Sequence, residues 1–252
     1  MAVTDGRIIA DWTPKSYTVK FDTNGGTTIA DKILTWDDMV LEGVSDPTKP
    51  GYDFAGWTFD GGNVLTRTTY ANLAADDTVT SITLTAQWTL HLYTVTLDAN
   101  GGTFDASGST VAQDTMQVTY GGNFEQMPIP RYKGYFFRGW YDEQWGGRQY
   151  GDEDGRGTYT YDKTEDCTLY ALWEEAPLCT VTFNPNGGTL TGAETCQEKQ
   201  NERIQKPYEE PIREGYYFRG WYKDADCTQM WDFDDPIPGN MTLYAGCIDH
   251  LF

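Results

Sequence analysis

Gly134-Tyr135-Phe136-Phe137-Arg138-Gly139-Trp140 is one of three versions of a single run; the others are Gly51-Tyr52-Asp53-Phe54-Ala55-Gly56-Trp57 and Gly215-Tyr216-Tyr217-Phe218-Arg219-Gly220-Trp221. The shared pattern is Gly-Tyr-x-Phe-x-Gly-Trp. Three copies at near-regular spacing make an internal repeat, and a repeat decides architecture before any single element does. In an extended strand the Tyr and Phe, two residues apart, share one face. The second Gly continues that face and leaves room there, which marks a bulge or a close backbone neighbour. The Trp then falls on the opposite face unless a bulge at the Gly turns it back. A buried aromatic removes roughly 150–250 Å² from water, at most about 4–6 kcal/mol per ring, against an ordering cost of roughly 1.5 kcal/mol per residue. One motif therefore seeds a core that other strands must complete.

Working outward, the first repeat runs from Tyr17 to Trp88. Tyr17-Thr18-Val19-Lys20-Phe21-Asp22 alternates as a strand, and Asn24-Gly25-Gly26-Thr27 is a turn because Asn and Gly supply positive φ. Ile33-Leu34-Thr35-Trp36 is a second apolar run. Asp37 to Gly43 is expected to form a short helical turn, with Asp as cap and Gly as stop. Pro47 and Pro50 break regular structure before the motif, and Ile82-Thr83-Leu84-Thr85-Ala86-Gln87-Trp88 closes the module. The second repeat, 93–173, keeps this order and adds a Gly- and Asp-rich loop between Trp145 and Tyr159. The third, 179–247, closes on Leu243-Tyr244-Ala245-Gly246-Cys247, with Cys247 where the others have Trp, which predicts a smaller core. Residues 1–16 read as the end of a preceding repeat plus a linker, since Ile8-Ile9-Ala10-Asp11-Trp12 is like Leu84–Trp88 and Leu169–Trp173; 248–252 is a C-terminal tail. The chain is thus expected to be a fragment of a longer array. The connectors before Tyr17, Tyr93 and Cys179 are too short to act as free tethers, so the modules are expected to bend little and to form an elongated array.

The 252 residues are 15% aromatic and 39% hydrophobic, with 27 Gly. That balance fits small β-rich modules whose cores depend on a few large rings. The net charge is −20, from 38 acids against 18 bases, which disfavours nucleic acid and anionic membrane as partners. No apolar run reaches the length of a membrane span. The start lacks the charged and apolar regions of a signal peptide. If the protein is secreted, signal and anchor are expected outside this fragment.

Little chemistry is visible. His91 and His250 are the two histidines, which argues against a triad or a His-based zinc site, and no nucleophile elbow, zincin or phosphate-loop motif is present. No catalytic residue and no cofactor is assigned. Asp152-Glu153-Asp154-Gly155-Arg156-Gly157-Thr158 resembles an oxygen-ligand calcium loop, with Asp152 and Asp154 as candidate ligands. It lacks the third acid and the distal Glu, and Arg156 stands where a ligand is usual, so a plain acidic turn is the simpler reading. Five Cys leave at least one unpaired within the chain. Cys167 aligns with Ile82 and Met241 as a buried apolar residue. Cys196 and Cys227, in loop-like parts of the third repeat, are a candidate disulfide in an oxidising compartment. Most of the nine Trp and seventeen Tyr belong to the repeat motifs and hence to cores. Trp145 and Tyr150, in the extra loop, are the best exposed candidates for ligand binding by sugar stacking.

The strand with Asn-Gly-Gly-Thr, the Pro-rich approach to Gly-Tyr-x-Phe-x-Gly-Trp, the closing Leu-Tyr-Ala-x-Trp and Trp231-Asp232-Phe233 together resemble the Listeria–Bacteroides repeat family, which includes internalin B B-repeat-like modules. The match covers nearly all of 17–247. The resemblance implies a β-rich α+β architecture of three tandem small β-grasp-like (ubiquitin-like) modules with a mixed sheet and little helix. In such a sheet the first and last strands are adjacent, which makes Cys179 and Cys247 a second candidate pair. The resemblance also implies the extracellular part of a bacterial cell-surface protein, acting as a non-enzymatic adhesion or spacer (stalk) segment. The expected partner is a surface protein or glycan of a host or neighbouring cell, and the expected state a monomer. The alternative is a carbohydrate-binding segment using exposed aromatics. The chain departs from the family pattern in the longer second repeat and in Cys247.

Overall fold

A computed structural model describes residues 2–4, 7–10, 12–106 and 109–249. A short antiparallel hairpin, β1 (Ala2–Thr4) with β2 (Arg7–Ile9), precedes the first repeat. That repeat holds β3 (Tyr17–Asp22), β4 (Lys32–Leu34), β5 (Tyr52–Phe59) and β6 (Ser81–Leu90). The second holds β7 (Leu92–Asp98), β8 (Phe104–Ala106), β9 (Ser109–Val111), β10 (Gln113–Thr119), β11 (Tyr135–Glu143), β12 (Gly146–Gly151) and β13 (Cys167–Glu175). The third holds β14 (Leu178–Asn184), β15 (Thr195–Lys199), β16 (Tyr216–Tyr222) and β17 (Met241–Asp249).

One strand order recurs. The first sheet runs β4-β3-β6-β5, the third β15-β14-β17-β16, and the second β10-β7-β13-β11-β12, which is the same order with one strand added at its edge. In the first and third repeats the opening and closing strands lie side by side and parallel, as in Val19↔Ile82 and Val181↔Met241. The motif strand then runs antiparallel to the closing strand. Each sheet buries one face: Tyr17, Val19 and Phe21 alternate inward along β3, and Val181 and Phe183 do so along β14.

The motif decides which face that is. In all three copies the register slips by one residue at the second glycine, between Phe54 and Gly56, Phe137 and Gly139, and Phe218 and Gly220. The glycines sit at φ of 119°, 120° and 140°, a region that favours residues without Cβ. The bulge turns the Trp onto the face of the Phe. Trp57, Trp140 and Trp221 are all buried, each edge-on to its own motif Phe at 5.4–5.6 Å between ring centroids. Around them gather the ring and aliphatic cores of the first and third repeats.

The turn before the second strand also recurs. Asn24, Asn100 and Asn186 have φ near 48° and are followed by Gly25, Gly101 and Gly187 at 85–97°. Each Asn side chain donates to a carbonyl of the closing strand, Ala86, Ala171 or Ala245, and in the first and third repeats that carbonyl lies just past the end of the parallel pairing. In the first two repeats the closing Trp clamps this turn. Trp88 Nε1 donates to Thr23 O at 3.0 Å and Trp173 Nε1 to Ala99 O at 2.9 Å. Their rings lie where a Cβ on Gly26 or Gly102 would stand, at 2.5 and 2.6 Å. Cys247 cannot make this clamp.

Two sequence expectations are corrected. Asp37 to Gly43 is not a helical turn. Asp38 accepts from the Thr35 backbone N–H and hydroxyl, Val40 is buried with its N–H bonded to Thr68 O, and Met39 bridges to Thr69. The one helical turn among the described residues is a 3₁₀ turn at Tyr70–Asn72. The extra segment after Trp145 is not a plain loop either, because β12 pairs with β11 and buries Tyr150.

The chain divides into two compact units, and the division passes through the second repeat. One unit is Met1–Thr94 with 117–123 and 160–167; the other is 95–116, 124–159 and 168–252.

Candidate binding surface

The first Tyr of the motif is the ring the fold leaves partly open. Tyr52, Tyr135 and Tyr216 are 37%, 39% and 36% exposed. Backbone geometry places the same neighbour over each, because the Tyr N–H donates to the residue three positions earlier: Lys49, Tyr132 and Arg213. Lys49 Nζ lies 4.5 Å from the Tyr52 centroid, Arg213 lies 4.2 Å from that of Tyr216, and Tyr132 stacks on Tyr135 at 4.5 Å and 10°. Such a cation over an exposed ring contributes about 0.5–1 kcal/mol.

In the second repeat this stack borders a groove of about 710 Å³ that Trp173, Arg138, Asn201 and Glu202 also line. Arg138 is held in place by Glu174 (2.6 Å) and Glu153 (2.7 Å), which raise its pKa above the ordinary value, Glu174 first. In the first repeat the equivalent groove, about 480 Å³, is lined by Tyr52, Trp88, Lys49, Asp53 and His91.

The connectors between repeats are shorter than the sequence spacing implied. His91 alone separates β6 from β7, and Ala176-Pro177 separates β13 from β14. Each connector is tied to the first glycine of the preceding motif, through His91 N to Gly51 O at 3.0 Å and Ala176 N to Gly134 O at 2.9 Å. His91 also pairs with Asp53 at 2.9 Å, and the Gly134 N–H donates to Glu202 Oε1 at 2.7 Å. Lys199 Nζ bonds Glu175 Oε1 at 2.7 Å, and this hydrogen bond holds the Glu175 carboxyl below its ordinary value of 4.5. A depressed folded value means stability present above the unfolded pKa and lost as pH falls through the folded one. Acidification below 4.5 is therefore expected to loosen this contact. The exposed pair makes the effect small. Thermal midpoints across pH should show less acid sensitivity in Glu175→Gln than in the wild type.

The residues singled out from sequence fare differently. Trp145 is 88% exposed at the β11–β12 turn, whereas Tyr150 is fully buried, edge-on to Phe124 and Tyr159, so its ring faces no ligand. Asp152 Oδ1 accepts from the backbone N–H of Asp154 and Arg156, and Arg156 pairs with Asp154, so the loop is closed by its own groups. Among the described residues no group of three or more His, Cys, Asp or Glu could hold a metal ion. His250 lies outside the described residues. All five Cys are free thiols.

Register argues against both candidate disulfides. With Val181 opposite Met241 in a parallel pair, Cys179 is level with Gly239, eight residues before Cys247. That is roughly 26 Å along a strand, against the 7 Å or less between Cα atoms that a bridge requires. Cys196 is opposite Val181 on an edge strand, while Cys227 Sγ lies by Ala245 O at 3.6 Å, two strands over and four residues further along. Burial raises the Cys196 and Cys227 thiol pKa values, which disfavours the reactive thiolate.

The sequence model of the Listeria-Bacteroides repeat domain matches residues 17–87, 93–172 and 180–246. The chain belongs to the Listeria-Bacteroides repeat family. Each matched segment begins at or near the opening strand of one sheet and ends in its closing strand, so a Listeria-Bacteroides repeat here is one complete sheet with its loops. A "Putative membrane protein" of Evansella cellulosilytica is 33% identical over 239 residues, covering 94% of this chain and 32% of that protein. A "Putative Gly-rich membrane protein" of the same organism is 29% identical over 253 residues, covering 97% and 27%. Internalin H of Listeria monocytogenes is 33% identical over 154 residues, covering 59% and 25%. The chain thus spans a third or less of the length of these relatives. No helix among the described residues is long and apolar enough to cross a membrane.

Proposed function

We propose that this chain is a non-enzymatic, extracellular repeat segment of a bacterial cell-surface protein, acting as an adhesion or spacer module whose partner is a surface protein of a host or neighbouring cell. The observation that carries the reading is the connector geometry. Links of one or two residues, each hydrogen-bonded to the motif glycine of the preceding repeat, join successive sheets as a support would need. Weak contacts repeated on tandem modules multiply into useful avidity. The likeness to internalin H and to two proteins named as membrane proteins supports a place at the cell surface. Each repeat is read as β-grasp-like; adjacent, parallel opening and closing strands in the first and third sheets support this. The segment is taken to be a monomer.

The second reading is carbohydrate binding, favoured by the Trp145 indole, 88% exposed at a turn. Labelled chain added to mammalian cells separates the two. Binding abolished by protease treatment of the cells and unchanged in Trp145→Ala is the expected result for a protein-directed adhesion module. Binding abolished by glycosidase alone would transfer the conclusion to the second reading. Binding to neither treated nor untreated cells would reject adhesion to these cells and leave the spacer role.

A further inference from the structure

We propose that the grooves beside Tyr135 and Tyr52 are binding sites for a neutral polysaccharide; this rests on the carbohydrate reading and moves its site from Trp145 to the motif tyrosines. The two grooves occupy equivalent places in their repeats. Each has an exposed motif Tyr, a closing Trp (Trp173 or Trp88) and a polar rim. Tyr132 and Tyr135 stack on one another and remain 39% exposed each, giving an aromatic wall against which the C–H face of a pyranose can lie. Arg138, fixed by two carboxylates, and the lining residues Asn201 and Glu202 offer planar hydrogen-bonding groups of the kind that bridge vicinal hydroxyls. At about 710 and 480 Å³ both grooves fall within the roughly 300–1,000 Å³ typical of small-ligand sites.

The occupant is argued by chemistry. Both closing indoles give their N–H inward, to Ala99 O and Thr23 O, so neither is free to take a peptide carbonyl. What remains on offer is ring faces and side-chain polar groups, which suits sugar better than backbone. A net charge of −20 repels anionic polymers, and the larger groove is itself lined by three bases and three acids, a balance that suits a neutral one. Recurrence of the groove in successive repeats suits a ligand that is itself built of repeated units. The third repeat is an internal control. Tyr216 carries Arg213 over its ring, but Cys247 replaces the Trp that walls the groove elsewhere.

The test is affinity electrophoresis of the whole chain through gels containing hydroxyethylcellulose, glycol chitin or yeast mannan, with far-UV dichroism confirming that each variant is folded. The expected result is retardation by at least one polymer, with apparent affinity at least tenfold lower in Tyr52→Ala/Tyr135→Ala and unchanged in Tyr216→Ala. Retardation that survives the double substitution and disappears in Trp145→Ala would overturn the groove assignment while leaving the carbohydrate reading in place. No retardation by any of the three polymers would overturn both.

Discussion

Trp140→Ala is expected to destabilise the second repeat by about 3–5 kcal/mol, the range for truncating a large buried aromatic, which is a sizeable share of a small domain's whole stability. Trp140 has no exposed surface, stacks on Phe104 at 5.9 Å, meets Phe137 edge-on at 5.4 Å, and donates its indole N–H to Pro128 O at 3.0 Å. Truncation removes ring contacts and a hydrogen bond together. Trp221 holds the same place in the third repeat, but its buried Nε1 has no hydrogen-bond partner among the described residues, and neither has that of Trp231. A buried donor left unpaired costs about 1–3 kcal/mol in the folded state, and Trp221→Ala relieves that cost while creating its cavity. Urea unfolding should therefore rank Trp140→Ala as the more destabilising of the two. Equal losses would mean that the Trp140 hydrogen bond contributes nothing and that ring burial alone sets the cost.

The difference between these two tryptophans traces to the segment before the motif. In the second repeat that segment puts Met127 into the core and Pro128 O within reach of the indole; Met127 is 1% exposed. In the third, Tyr208, at the position equivalent to Met127 when the proline turns are aligned, is 96% exposed. The Cys247 substitution predicts a smaller third core from sequence alone. The unpartnered indoles are consistent with a looser one.

Much of the fold is legible because it rests on local rules used three times. Asn followed by Gly requires positive φ, alternation puts Val19 and Val181 inward, and the motif glycine allows a bulge. The direction of the motif Trp was undecided by alternation, since one inserted residue reverses every face after it. Only the register, slipping at each glycine, settles it. Asp37 to Gly43 misleads because cap and stop residues serve turns as well as helices. There a side chain, Asp38, and a long-range bridge to Thr69 outcompete the helix.

The candidate surface was less legible. Trp145 and Tyr150 look alike in sequence, five residues apart in a polar, Gly-rich stretch. Pairing of β12 with β11 sends one outward and the other into the core. Tyr132 and Lys49 carry no sequence signal as partners of the motif Tyr, because the turn that stacks them is set by backbone hydrogen bonding and not by residue type. The pairing of Cys179 with Cys247 failed for a related reason. Adjacent strands are not enough; two residues must also be level, and register is the property least visible in a single sequence.

The three bulge glycines should not tolerate alanine equally. Each sits at a φ that strains any other residue, a cost of about 1–3 kcal/mol shared by all three. What differs is the neighbour a new Cβ would meet. At Gly139 it would stand 2.2 Å from Gly151 O, a backbone atom of the added strand β12, and 2.7 Å from Gln149 Nε2. Backbone cannot yield without breaking the pairing of Trp140 with Gly151, so Gly139→Ala is expected to detach the end of β12 and expose Tyr150. At Gly56 the obstacle is Val64 Cγ1 at 2.4 Å, a stiff side chain on a turn that can shift. At Gly220 it is Met230 Cε at 3.4 Å, the far end of a flexible chain. Loss of stability in urea should follow the order Gly139, Gly56, Gly220, with Gly220→Ala showing little beyond the φ cost. Hydrogen exchange should find the amides of β12 unprotected in Gly139→Ala alone. If Gly220→Ala proves as damaging as Gly139→Ala, backbone strain rather than the approach of a fifth strand governs these sites, and the glycine of the second repeat has no role beyond the one its counterparts share.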